Sequence, residues 1–156
     1  MRLITVLSAA ALAVLGVAAL AQEAEDPFAD AVEMRHGLML QMASSLSQLG
    51  AMAKGEAAYD AATATKSAQN VAAIASVISM EQFPAGSEYE KAADSFALPS
   101  LWANEADFLQ KVADLNMAAS ALVADAGTGV DGVKAGLGVV GGACAACHKA
   151  YRQPEE

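Results

Sequence analysis

Near its C-terminal end the chain carries Cys144-Ala145-Ala146-Cys147-His148, and this C-x-x-C-H spacing is the one at which a haem is joined covalently to protein. Two sulfurs three positions apart on a helix share a face, so both can form thioethers with the vinyl groups of one porphyrin. His148 follows Cys147 directly and lies four positions after Cys144, which turns its imidazole under the same ring as the expected proximal iron ligand. A thiol redox pair is activated at a helix N-terminus, whereas this pair falls near the end of the last helical segment. A structural zinc site takes four ligands, and the chain offers only two Cys and two His, His36 being the other imidazole. A haem-free helical protein with a thiol pair or disulfide is the remaining alternative for these residues.

Residues 1 to 21 read as a cleaved secretory signal peptide. Met1-Arg2 is a basic start, Leu3 to Leu20 an apolar run, and Ala19-Leu20-Ala21 an A-x-A site that places cleavage after Ala21. The run is long enough for a retained membrane anchor, but it is rich in Ala and meets the cleavage site directly. Export to a bacterial periplasm fits the motif, since c-type haem is attached outside the cytoplasm. Cleavage leaves a single domain from 22 to 156 with no membrane span, and the loss of Arg2 moves the net charge from −9 to −10. That acidity argues against nucleic acid and anionic membrane surfaces, and suits a redox partner with a basic docking patch.

The elements that must position the motif read as four helices, because the chain after residue 21 is rich in Ala, poor in β-branched runs and punctuated by caps. Asp26-Pro27 gives an N-cap with Pro at N1, and Lys54-Gly55 closes the first helix. Asp60 opens a second helix that reaches about Ser79, before a long connection to Pro99. Ser100 caps a third that runs to Ala126-Gly127, and Asp131 opens a fourth that ends near Arg152. On the third, Leu101, Phe108, Val112, Leu115, Ala119 and Leu122 follow one face, interrupted where Glu105 falls. On the fourth, Val133, Leu137, Val140, Cys144, Cys147 or His148, and Tyr151 form the inward stripe, so the motif faces the core. Gly136, Gly138, Gly141 and Gly142 weaken that helix, which implies either a close approach of cofactor or backbone, or a bent segment.

The stripe of the first helix runs Val32, Arg35, Met39, Met42, Leu46, Leu49, so a guanidinium occupies an apolar seam. A charge there needs a partner. No carboxylate in the chain is an obvious one, whereas a haem propionate would match a bidentate guanidinium, so Arg35 reads as a propionate clamp, with snorkelling at the open end of the seam as the alternative. His36 beside it reads by default as a half-exposed helix residue, with the option of an added donor.

Taken together these residues resemble the cytochrome c-prime family, the c-type cytochromes built as antiparallel four-helix bundles with the haem motif near the C-terminus. The resemblance covers essentially the whole chain after the signal. It rests on Val32-Glu33-Met34-Arg35, Gly50 to Glu56 with Tyr59-Asp60, Phe83-Pro84-Ala85-Gly86, Pro99-Ser100-Leu101-Trp102 and, most specifically, Cys144 to Arg152. It implies one covalent haem c with thioethers at Cys144 and Cys147, axial ligation by His148, and a propionate contact from Arg35. It also implies a positive charge near the proximal face from Arg152, and it sets His36 where the family often has a polar propionate partner such as Gln. The stretch from Glu88 to Leu98 is longer than is usual in the family, and no haem contact is carried over to it. A homodimer paired through the first two helices is implied as well.

Met39 falls where the resemblance places the side chain covering the distal face of the haem. As a sixth ligand it gives a closed, low-spin electron carrier; as a screen it leaves a five-coordinate iron open to nitric oxide or carbon monoxide. The expectation is therefore an all-α, non-enzymatic, periplasmic single-electron carrier, with a gas-binding protein as the alternative.

Overall fold

The computed structural model describes residues 26–154; the expected signal peptide and its cleavage after Ala21 lie outside them. Among the described residues five α-helices run in the order α1 (Ala29–Lys54), α2 (Ala61–Val77), α3 (Ser100–Ala103), α4 (Glu105–Ala126) and α5 (Val130–Tyr151), with a 3-10 turn at Met80–Gln82. The four long ones form a closed ring of neighbours, α1 on α2, α2 on α4, α4 on α5 and α5 back on α1. Short links at 55–60 and 127–129 turn the chain straight back, giving the four-helix bundle expected for such connections.

The helix ends follow local chemistry. Gly55 sits in the left-handed region at φ 75°, and Glu56 N–H donates to Ala51 O (2.9 Å) while Gly55 N–H donates to Met52 O (3.1 Å), so α1 stops where Lys54-Gly55 predicted. The Asp60 carboxylate accepts from Thr63 N (2.7 Å) and caps α2 as expected. Asp26 does not cap α1. Its carboxylate accepts instead from Phe28 N (2.8 Å) and from Ala93 N (2.6 Å) in the long connection, and α1 begins two residues later than Pro27 would place it. The third predicted helix is broken at Asn104 (φ −133°), whose side chain donates to Ser100 O, while Ser100 Oγ donates to Ala150 O rather than capping. The gap in the stripe at Glu105 was the trace of that break. α5 opens from Gly129, two residues before the expected Asp131 cap, so Asp131 falls in its first turn.

Leu49, Val71, Leu122, Val133 and Val140 are fully buried between the four long helices, each contributing about 1.5–3 kcal/mol by leaving water. By length and composition α5 would suffice to cross a membrane, yet its Val133, Gly136, Val140 and Tyr151 are buried within the bundle. A Cβ on Gly136 would stand 2.5 Å from Leu122 Cδ1 and 3.2 Å from its Cα, so this glycine allows α4 and α5 to close on each other. Gly138, Gly141 and Gly142 have nothing within 4 Å of that position, so of the four glycines singled out in the sequence only Gly136 has the close-approach role.

The connection from Phe83 to Leu98 is a strap fixed from both sides. Arg35, 4% exposed, donates from one terminal nitrogen to Gln82 O (3.1 Å) and Ser87 Oγ (2.9 Å), and from the other to Ser87 O (2.9 Å) and Ser95 Oγ (2.6 Å). Its guanidinium also lies 5.1 Å from the centre of the Phe83 ring. At the far end, Leu98 N donates to Tyr151 O (2.9 Å), Gln153 N to Phe96 O (2.8 Å), and Ala97 pairs antiparallel with Arg152.

Replacing Gly136 by Ala should cost about 1–3 kcal/mol by overpacking against Leu122. The same change at Gly138 should be neutral or stabilise by up to about 1 kcal/mol through helix propensity. Arg35→Gln leaves several buried acceptors of the strap without donors and should cost about 3 kcal/mol. Urea unfolding followed by the single tryptophan, Trp102, measures all three.

Candidate functional site

One cavity of about 610 Å³ opens in the bundle where α1 and α4 begin and α5 ends. α1 lines it with Arg35, His36, Met39, Leu40, Met42 and Leu46; α4 with Phe108, Lys111, Val112 and Leu115; α5 with Cys144, Cys147, His148 and Tyr151. The strap adds Phe83, Phe96 and Ala97, and Arg152 completes the wall just beyond α5. Every candidate site residue read from the sequence, Arg35, His36, Met39, Cys144, Cys147, His148 and Arg152, therefore borders the same space. The i, i+3, i+4 spacing on α5 brings both sulfurs and the imidazole to that space together.

The lining is apolar apart from cations. Arg35, Lys111 and Arg152 reach it, with two histidines, and among the described residues no Asp or Glu lines it although the chain has 18 acidic residues. A flat, mainly apolar group carrying anionic substituents fits such walls, and a haem with its propionates is of that kind. Among the described residues no carboxylate is ion-paired with Arg35, and burial lowers its pKa. Gln82 O and three oxygens of the strap take donors of both terminal nitrogens of Arg35. Nε–H and the unbalanced charge are what remain for an anion. Snorkelling is excluded by the burial of the residue.

Cys144 and Cys147 are not joined in a disulfide, and burial pushes both thiols up from the ordinary value. Neither is primed as a thiolate nucleophile. His148 is held below the usual imidazole value, first by burial and then by the positive charge of Arg152, which keeps it in the neutral form that can donate a lone pair. Behind Cys147, the Tyr151 hydroxyl donates to Asp107, and Lys111 lies 3.5 Å from the same carboxylate. That hydrogen bond raises the Tyr151 pKa to about 12 and lowers that of Asp107. A T-shaped series, Phe83 on Phe108 (5.0 Å) and Phe108 on Tyr151 (5.8 Å), joins the strap to α4 and α5.

Sequence reasoning missed Lys111 and Phe96. Lys111 had a signal, since it lies three residues after Phe108 and four before Leu115 on the apolar face of α4. Phe96 had none, because the strap is aperiodic, and the stretch to which no haem contact was assigned supplies both Phe96 and Ala97 to the cavity.

Comparison with known proteins agrees with this arrangement. Residues 30–152 match the family described as Cytochrome C'. The chain is 46% identical over 137 residues to cytochrome c-554 from Cereibacter sphaeroides, covering 88% of this chain and 89% of that protein. Its fold is similar to that of cytochrome c' from Rhodobacter Spheriodes, at a TM-score of 0.78 and 30% identity over 82% of this chain and 98% of that one. It is likewise similar to a nitric oxide complex of a mutant cytochrome c prime from Alcaligenes xylosoxidans, at a TM-score of 0.71 and 30% identity over 81% of this chain and 97% of that one. With the C-x-x-C-H motif, the cavity and these likenesses in agreement, the chain belongs to the cytochrome c' family and is a c-type cytochrome with covalent haem c.

Proposed function

We propose that this chain is a periplasmic carrier of single electrons, with haem c bound through Cys144 and Cys147, His148 as proximal ligand and Met39 as the ligand on the opposite face. The observation that carries the reading is that Met39 of α1 and His148 of α5, on different helices, border one cavity. The haem supplies a one-electron iron couple when bound. Cys144 and Cys147 would hold the group on α5, and His148, four residues after Cys144 on the same helix, would supply its imidazole to the iron. Arg35 holds α1 against the strap one turn before Met39, which restricts the positions the thioether can take. Arg35, Lys111 and Arg152 set a positive field around the cavity, favouring the propionates, and Lys111 acts electrostatically on Cys147. His36 borders the same rim and is the candidate second donor to a propionate.

Apolar walls exclude water from the reacting centre, and no nucleophile and base meet there among the described residues, which supports a carrier rather than an enzyme. The chain's net charge of −9 suits partner proteins with basic docking patches, and pairing of two copies through α1 and α2 is part of the same proposal. The similarity to a protein solved as a nitric oxide complex favours one second reading, in which Met39 only covers an open iron that binds nitric oxide or carbon monoxide.

Met39→Ala separates the two. If Met39 is a ligand, the variant should change from low to high spin and gain at least about tenfold in carbon monoxide affinity over the parent, seen in its reduced visible spectrum. A parent that already binds the gas, with the variant changing affinity less than about threefold, would instead establish the gas-binding reading.

A further inference from the structure

We infer that Phe96 is the cover of the haem cavity, a residue that sets how far water reaches the cofactor's edge. The inference rests on the haem reading above but not on whether Met39 ligates. Phe96 lines the cavity and is 40% exposed, so its ring lies on the boundary between the cavity and solvent. Its centre is 6.0 Å from that of His36 on α1, at a tilt of 37°, and 5.6 Å from the Arg152 guanidinium beyond α5. The ring thus bridges two walls of the opening. It does so from a backbone that is held in place: Phe96 O accepts from Gln153 N (2.8 Å), Ala97 pairs with Arg152, and the preceding Ser95 hydroxyl accepts from Arg35 (2.6 Å). Asp94, at φ 56°, turns the chain just before this segment.

An aromatic ring flanked by an imidazole and a guanidinium seals with its apolar face while the polar groups at its sides keep their contact with water. Behind such a cover the local dielectric is low, and the additional positive charge of the oxidised iron is poorly solvated, which favours the reduced state. Removing the ring lets water in and should favour oxidation.

The test uses the exported holoprotein with Phe96→Ala and Phe96→Leu, titrated against redox mediators while the visible spectrum is recorded. The Ala variant should keep the parent's haem spectrum and show a three- to tenfold fall in its reduction equilibrium constant, up to about 59 mV for one electron. The Leu variant, which retains an apolar cover, should fall less. Parent-like midpoints in both variants, with unchanged spectra, would overturn the role of Phe96 and leave the haem reading intact. An Ala variant that loses its parent spectrum would show Phe96 to be a structural support rather than a cover if the Leu variant then titrates like the parent; a Leu midpoint shifted downward would uphold the cover. A parent protein without haem would overturn both proposals.

Discussion

The buried guanidinium of Arg35 is the constraint on which the functional half of this molecule depends. It is a cation at 4% exposure on an apolar seam, and its cost is offset by three oxygen acceptors from the strap and the carbonyl of Gln82 just before it, rather than by a carboxylate. Because those acceptors lie 47 to 60 residues away in sequence, one side chain fixes a long irregular segment against α1. That attachment sets the strap beside Met39 and His36 on the helix, and the bonds of Phe96 and Leu98 to the end of α5 and the residues beyond it fix the strap's far side. The charge remains unbalanced, and an anionic group in the adjoining cavity answers it better than any side chain the described residues provide.

The bundle is built in two zones. Around Leu49, Val71, Leu122 and Val133 the helices pack solidly, and Gly136 lets α4 and α5 approach closely. Toward the start of α1 and the end of α5 the same helices diverge around about 610 Å³ of apolar space, leaving Met39, Leu46, Val112, Cys144 and Cys147 only partly buried. A folded chain gains little from apolar walls facing an opening. A covalently held haem would cover those walls, and binding it would favour the folded chain. The cationic rim adds selectivity for a group with acidic substituents.

Much of this was legible in the sequence where a regular period or a cap fixes the answer. The α5 stripe from Val133 to Tyr151 correctly turned the C-x-x-C-H motif inward, and Gly55 and Asp60 marked helix ends by local hydrogen bonding alone. Arg35 was legible as a charge in the wrong environment, but its partners were not. They are backbone carbonyls and serine hydroxyls of an aperiodic loop, groups whose positions depend on the tertiary fold. Asp26 was misread as a cap because its carboxylate serves Ala93, a contact that sequence spacing cannot reveal. The strap likewise hid Phe96, while Lys111 was overlooked although it lay on a readable apolar face.

The proposed carrier role requires an iron closed on one side by His148 and on the other by Met39. The visible spectrum of the exported, reduced protein, recorded with and without carbon monoxide, tests this most directly. A low-spin haem spectrum that the gas leaves unchanged is the predicted result. A high-spin spectrum that shifts when carbon monoxide is added would contradict it and place gas binding, rather than electron transfer, at the centre of the function.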